Sequence, residues 1–172
     1  MQLRGNVLNT KYVAFDNGEH PKERAKGVAR QEKAFINYTL YSDAPRKMTV
    51  VVPKIGDDGT VPVFQQSPHK QDLLEAKYME ADDTNVEFSE NKQPKWDRKR
   101  KCFVLDFKKR ATEASVKNFL LVTKEDPEHD SVLFGKCGRD QFNVDVQYPM
   151  SFFQAFAICL SAIYSKSAPT FG

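Results

Sequence analysis

The chain has 172 residues, 40% of them hydrophobic and 12% aromatic, with a formal net charge of +3. This length and apolar content predict one domain, residues 1–172, with a sizeable core, and the mild charge permits an anionic partner without requiring one. Three cysteines without close spacing argue against a disulfide scaffold or a zinc site and are typical of a reducing compartment. The first six residues lack the apolar stretch of a secretory signal. The longest apolar run, 150–163, falls short of the roughly 20 residues that cross a bilayer.

Most of the chain consists of short apolar segments separated by turn signals, which predicts a β-rich fold. Asp16-Asn17-Gly18 ends the first segment, because Asn-Gly accepts positive φ, and residues 19–32 follow as a polar loop. The tetrapeptide 56–59, Gly-Asp-Asp-Gly, is expected to join two strands in a hairpin. About ten strands at this spacing favour a sandwich or barrel. They are predicted over 11–15, 33–41, 48–52, 60–64, 73–78, 86–88, 102–107, 116–123, 131–135 and 142–147.

The last apolar segment, Tyr148 to Tyr164, predicts a helix with no polar face, since only Ser151, Gln154 and Ser161 interrupt it. A helix that is apolar all round must be covered on every side. A sheet curled around it would provide that cover and would also remove exposed strand edges. About fourteen residues give roughly 20 Å, a length that a barrel encloses. The pattern therefore predicts a β-barrel around a central carboxy-terminal helix. The alternatives are a core helix between two layers and a signal-like segment at the wrong terminus.

Charge is unevenly distributed in the middle of the chain. Residues 80–90 contain five acids and no base, whereas residues 92–110 contain nine bases against two acids. These stretches are read as solvated surfaces, but the interleaved aromatics also suggest nucleic-acid binding. Alternation along 102–107 predicts that Phe103 and Phe107 point inward, which weakens that reading. Trp96, between basic residues, is expected either at a membrane interface or inside the barrel.

Several motifs, in order, resemble the carboxy-terminal domain of the tubby-like proteins. The clearest run includes Phe142-Asn-Val-Asp145, Tyr148-Pro149, Phe153-Gln-Ala-Phe-Ala-Ile-Cys-Leu-Ser161 and Ser165-Lys166. Upstream matches are Phe15-Asp-Asn-Gly18, Arg30-Gln-Glu32, Pro45-Arg-Lys-Met-Thr-Val50, Asn91-Lys-Gln-Pro-Lys-Trp96, Thr112-Glu-Ala-Ser-Val-Lys-Asn-Phe119, Asp126-Pro127 and Phe134-Gly135. The resemblance implies a β-barrel wrapped around a central hydrophobic helix. The amino-terminal strands of the domain have no counterpart in this sequence, so either the sequence is a fragment of the domain or the barrel is trimmed or open.

The resemblance also implies a function: a membrane-tethering adaptor or signalling domain that binds phosphoinositides, chiefly phosphatidylinositol 4,5-bisphosphate. It implies a cytoplasmic protein at the inner plasma membrane, with links to the nucleus, to DNA and to the delivery of membrane-protein cargo to cilia. The alternatives are a nucleic-acid-binding or transcription-regulating domain, and a cargo scaffold without lipid binding.

The family's headgroup pocket maps onto a few basic positions. Of its Lys-x-Arg pair, the arginine is Arg4 and the lysine is replaced by Gln2, while the arginine of the Arg-Gln-Glu motif is Arg30. Arginine suits this role because its planar fork of donors matches phosphate oxygens. Lys11 is expected to compensate in part for the missing lysine. The sequence predicts secondary lipid contacts at Arg46 and Lys47.

Catalysis finds little support in the sequence. The histidines, His20, His69 and His129, are scattered in polar segments, and no HxxxH, GxSxG or phosphate-loop pattern occurs. An arrangement of Cys137, His129 and an aspartate is the one catalytic alternative, but such arrangements arise by chance in most chains. We therefore predict no catalytic residue, no metal ligand and no cofactor.

Overall fold

The protein is mainly β, and a computed structural model describes residues 1–19, 28–66 and 71–165. The eight longer strands and the two helices are β1 (Gln2–Gly5), β2 (Lys11–Phe15), β3 (Glu32–Thr39), β4 (Lys47–Pro53), α1 (Leu74–Glu80), β7 (Val86–Asn91), β10 (Phe119–Thr123), β11 (Asp130–Gly138), β12 (Gln141–Val146) and α2 (Phe152–Tyr164). Two short pairs complete them: β5 (Gln65–Gln66) with β6 (Gln71–Asp72), and β8 (Lys95–Asp97) with β9 (Cys102–Val104). No helix within the described residues is long and apolar enough to cross a membrane.

The eight longer strands form one antiparallel sheet in the order β1-β2-β3-β4-β7-β10-β11-β12. The sheet curls around α2, and its inner face and the helix share the main core. A second core on the outer face packs α1 against β3, β4 and β7. Because both faces are covered there, β4 is apolar along most of its length rather than alternating. The predicted β-rich fold, an open barrel curled around a carboxy-terminal helix, is confirmed.

The sheet covers only one side of α2, so the expectation that the helix is enclosed on every side is wrong. Ala155, Ala157 and Ile158 are buried, whereas Phe152 and Phe156 are 82% and 57% exposed. The outward residues recur at about every fourth position, which defines one apolar stripe along the helix. Within the described residues β1 and β12, at the two ends of the strand order, do not pair with each other, so this stripe stays exposed.

Helix α2 begins at Phe152, four residues later than the sequence predicted. Ser151 and Gln154 form a capping box: the Ser151 Oγ accepts from the Gln154 N–H at 3.2 Å, and the Gln154 Oε1 accepts from the Ser151 N–H at 2.9 Å. These two bonds satisfy backbone donors that a helix start leaves unpaired. Further along, the buried Ser161 hydroxyl lies 2.8 Å from the Tyr38 hydroxyl and donates to the Ile158 carbonyl.

Two predicted strands are wrong. Residues 73–78 contain most of α1, whose Leu74 is buried and whose Tyr78 ring packs against Phe35 one helical turn later. The predicted hairpin partner 60–64 does not pair with β4, because β3 and β7 already occupy both edges of that strand. Phe64 instead fills the outer core, where its carbonyl accepts a hydrogen bond from the Glu32 N–H.

Candidate anion-binding site

Antiparallel pairing of β1 with β2 brings the sequence-predicted arginine and its neighbours onto one face. In this register Gln2 lies opposite Phe15 and Arg4 lies opposite Val13. Side chains alternate along a strand, and the intervening Tyr12 and Ala14 of β2 point into the core beneath α2. Gln2, Arg4 and Phe15 therefore share the outer face of the sheet at its β1 edge.

The turn after β2 carries Arg30 to the same place. The Asp16 carboxylate accepts hydrogen bonds from the backbone N–H groups of Gly18 and Gln31, each at 3.0 Å, and so ties the turn to the segment that precedes β3. A Cβ on Gly18 would lie 2.4 Å from both the N and the Cα atoms of Arg30. Only glycine permits this approach. The Arg30 N–H then donates to the Glu19 carbonyl at 3.0 Å, which fixes its backbone.

The two arginine side chains converge on one amide oxygen. The Gln2 Oε1 accepts from Arg30 Nη1 at 3.2 Å and, more weakly, from Arg4 Nη2 at 3.5 Å. The Arg30 guanidinium also lies 4.1 Å from the centre of the Phe15 ring, a cation–π contact. Arg30 is 7% exposed, whereas Arg4 and Gln2 are exposed. The structure thus brings together the Arg4 and Arg30 predicted from the sequence, one anchored and one free to move.

A buried carboxyl, that of Glu32, interacts electrostatically with Arg30. Glu32 on β3 accepts a hydrogen bond from the Leu74 N–H at 2.8 Å. Burial is the main cause that raises the pKa of Glu32 to about 7; the Leu74 N–H opposes the rise, Glu75 adds to it, and Arg30 lowers it. Near neutral pH the Glu32 carboxyl is therefore partly protonated, so it neutralises the positive charge of Arg30 only in part.

The other predicted basic residues lie elsewhere. Lys11 lies on the same strand face, about 13 Å along β2 from Phe15, and forms an ion pair with Glu75 at 2.8 Å. Lys47 pairs with Glu90 at 2.9 Å. The structure does not bring either side chain to the Arg4–Arg30 pair.

Arg46 lies at the carboxyl end of α2. Its guanidinium donates to the Ser165 hydroxyl and, at 3.4 Å, to the Ala162 carbonyl, and it lies 4.9 Å from the centre of the Tyr38 ring. Lys117 donates to the Ser165 carbonyl at 2.6 Å. Desolvation lowers the pKa of both cations. Positive charge at a helix carboxyl end is favourable, so these contacts give Arg46 a structural role.

Three residues of the site were missed by sequence reasoning. Gln2 was read only as a lost lysine, but it is the acceptor that holds the guanidinium groups together. Phe15 was assigned to a strand without a role, and Gly18 was recognised as a turn residue without its close approach to Arg30. The consecutive residues Asp16, Asn17 and Gly18 did predict a turn. They could not predict the position of Arg30, because that position depends on the contact between Gly18 and Arg30, twelve residues apart.

The aromatic residues of the basic stretch are not arranged as predicted. Phe103 is 43% exposed, so the expectation that it points inward is wrong, while Phe107 is half-buried. Trp96 is 53% exposed, so of its two expected positions the one inside the barrel is excluded. Residues 102–107 extend as a strand only to Val104, because the short β8–β9 pair lies apart from the large sheet.

Of the three histidines, His20 and His69 lie outside the described residues. His129 is largely exposed and its Nδ1 lies 2.7 Å from the Asp126 carboxylate. This contact is an Asp–His pair three residues apart in a surface turn.

The fold is a sheet curled around an apolar carboxy-terminal helix. The chain belongs to the Tub family, whose match covers residues 1–165. Over 97% of its length the chain is 40% identical to Protein king tubby of Drosophila melanogaster and 34% identical to Tubby protein homolog 1 of Caenorhabditis elegans. Tubby protein homolog 1 of Caenorhabditis briggsae is 36% identical over the same share. The chain covers 36% of the fly protein and 41% of each worm protein, so it spans about two fifths of these relatives.

Proposed function

We propose that this chain is a phosphoinositide-binding domain, not an enzyme, and that Arg4 and Arg30 hold the headgroup of phosphatidylinositol 4,5-bisphosphate. The observation that supports it best is the convergence of the two guanidinium groups on the single Gln2 oxygen. An oxygen that accepts from both arginines occupies the position that a phosphate oxygen would take. The likeness of the motifs to the tubby-like headgroup pocket supports the same ligand.

The two arginines differ in exposure, and this difference suits them to different parts of headgroup binding. Arg30 is held by the Phe15 ring and by its backbone bond to Glu19, so little side-chain entropy remains to be lost on binding. Arg4 is exposed and can swing from Gln2 to a second phosphate. Two planar forks, each able to donate two hydrogen bonds, suit adjacent phosphates better than a single phosphate. The proposed ligand is therefore a headgroup with neighbouring phosphates rather than a monophosphate.

The proposal extends to location. A ligand of this kind belongs to the cytoplasmic leaflet, so we place the protein peripherally at the inner plasma membrane, where it would tether a membrane-protein cargo or transmit a signal. Attraction to an anionic leaflet adds about 1 kcal/mol for each juxtamembrane base.

Sedimentation with liposomes tests the lipid, and calorimetry with soluble inositol 1,4,5-trisphosphate tests the headgroup alone. We expect pelleting with the 4,5-bisphosphate to exceed pelleting with the 4-phosphate or with no phosphoinositide. Arg30→Ala removes charge-assisted hydrogen bonds worth about 1.5–3 kcal/mol, so the Kd should rise roughly 10- to 150-fold. Arg139→Ala is the matched control, because the Arg139 side chain is 98% exposed and lies in the turn between β11 and β12.

Two results would disprove the site. One is equal pelleting with all three lipid mixtures, and the other is unchanged headgroup affinity in a folded Arg30→Ala protein. Salt should weaken binding, because the contacts are ionic and partly exposed.

A further inference from the structure

The short β8–β9 pair forms a projecting hairpin that takes no part in the eight-stranded sheet. Its register pairs Lys95 with Val104, Trp96 with Phe103 and Asp97 with Cys102. The four residues that join the strands, 98–101, are Arg-Lys-Arg-Lys, and all four are exposed. The hairpin therefore ends in an entirely basic loop.

The loop is held in shape by Asp97. Its Oδ1 accepts from the backbone N–H groups of Lys99 and Arg100 at 2.8 Å and 3.1 Å, and these bonds lower the pKa of the carboxyl. Lys101 completes the turn in the left-handed region at φ 50. The Asp97 carboxylate thus accepts hydrogen bonds mainly from the backbone of the loop. Its ion pair with Arg100 is long, with 3.8 Å between Arg100 Nε and Asp97 Oδ2. Within the part of the chain that the structure describes, Lys95 and the other three loop bases form no ion pair.

One face of the hairpin is aromatic and exposed. Trp96 and Phe103 lie opposite each other across the strands, their ring centres 5.1 Å apart at an angle of 70°. They are 53% and 43% exposed, although each ring carries a large apolar surface. An exposed aromatic pair bordered by unpaired bases indicates a binding surface rather than apolar side chains exposed without a role.

We propose that this hairpin contacts an anionic membrane surface, with Trp96 and Phe103 entering the lipid interface and the basic loop meeting the headgroups. The charge of the loop complements an anionic leaflet, and Trp favours the boundary between headgroup and acyl chain. The edge-on arrangement of the rings favours lipid over nucleic acid, because stacked bases need open parallel ring faces. The contact does not depend on Arg4 and Arg30, and it requires anionic lipid of any kind rather than a phosphoinositide.

Trp96 is the single tryptophan of the chain, so its fluorescence reports on this surface alone. The probe is vesicles of phosphatidylcholine with phosphatidylserine and no phosphoinositide, some with brominated acyl chains. We expect a blue shift and quenching by the brominated lipid, and neither effect with pure phosphatidylcholine. Arg30→Ala, which disables the proposed headgroup site, should leave both effects unchanged.

A loop variant with Arg98, Lys99, Arg100 and Lys101 all replaced by Gln should lose at least tenfold in vesicle affinity, since each base contributes about fivefold near an anionic surface. The same variant should keep its affinity for soluble inositol 1,4,5-trisphosphate and its far-ultraviolet circular dichroism, because the hairpin lies outside the large sheet. Phe103→Ser should reduce quenching, whereas the charge-dependent association of the basic loop with anionic vesicles should remain.

Three outcomes would overturn the proposal. The first is the absence of quenching in vesicles that the protein still binds through the 4,5-bisphosphate, a result that would leave the headgroup site intact. The second is equal quenching in the loop variant. The third is a blue shift with duplex DNA but none with anionic vesicles, which would assign the hairpin to nucleic acid instead.

Discussion

Replacing Gln2 by lysine should strengthen phosphate binding and weaken the fold at once. In the free protein the Gln2 oxygen accepts from both Arg4 and Arg30, whereas a lysine ammonium can only donate. The lysine ammonium would then face both guanidinium groups where an acceptor stood, and two like-charge contacts at about 4 Å cost about 1 kcal/mol each in a water-like dielectric. For a domain of this size about 2 kcal/mol corresponds to a fall in Tm of roughly 4–8 °C. With ligand bound, the same lysine adds a charge-assisted hydrogen bond of about 1.5–3 kcal/mol, or roughly 10- to 150-fold in Kd.

Thermal unfolding with and without inositol 1,4,5-trisphosphate, together with calorimetry, measures both effects. We expect Gln2→Lys to have a lower Tm than the parent protein when free and a larger ligand-induced rise in Tm. Gln2→Met removes the acceptor without adding charge and is the matched control for loss of the bridge. A Gln2→Lys protein that is as stable as the parent and binds the headgroup no better would refute the role of Gln2 as the bridge between the arginines.

Three further changes test the turn, the helix and the buried carboxyl. Gly18→Ala places a methyl group 2.4 Å from the backbone of Arg30, so that backbone must shift by about 1 Å. The shift should lengthen the hydrogen bond between Arg30 and Gln2 beyond bonding range. Headgroup binding, measured by calorimetry, should weaken by roughly tenfold. Ala157→Asp buries an unpaired charge and should cost about 3–5 kcal/mol in urea unfolding, whereas Phe156→Asp on the exposed stripe should change stability by less than about 1 kcal/mol. The pKa of Glu32 is raised to about 7 in the fold, against 4.5 ordinarily. Its stabilising contribution, about 3 kcal/mol, is therefore complete below about pH 4.5 and is lost as the pH rises through about 7. Glu32→Gln should abolish that loss in unfolding curves taken from pH 4 to 8.

Controls make these results interpretable. Gly138→Ala meets only the flexible Gln141 side chain and should leave affinity unchanged. Equal destabilisation by the two helix substitutions would contradict the one-sided burial of α2, and a pH profile unaltered by Glu32→Gln would assign the titration to another group.

The fold was predictable where a local pattern has one physical solution. The largely apolar segment ending at Tyr164 predicted a helix covered by a curled sheet, and α2 packs on the inner face of that sheet. The sequence could not reveal that the cover is one-sided, because exposure of Phe156 depends on which strands are adjacent rather than on the helix itself. The error over 73–78 has a similar origin: Leu74 and Tyr78 fit a strand as isolated apolar residues, and the outer core selects the helical spacing.

The candidate site divides in the same way. Arg4 and Arg30 could be named from motifs, since their type and order are local features. The contacts of Gln2, Phe15 and Gly18 could not be predicted from local motifs. They depend on the pairing of β1 with β2 and on the path of the turn, which are long-range features. The contacts of the other basic residues could not be predicted, because neither the ion pair of Lys11 with Glu75 nor the helix contacts of Arg46 follow from a local sequence pattern.

Two of the side chains that meet at the proposed phosphate position, Gln2 and Arg4, lie on β1, a four-residue strand at one end of the sheet. Among the strands that the structure describes, β1 pairs only with β2. A short strand held from one side opens more readily than the interior of a sheet, so ligand affinity and the fraying of β1 form a single equilibrium. Any polypeptide that added itself beside β1 would tighten binding without touching the ligand, and the bound ligand would favour that addition by the same factor.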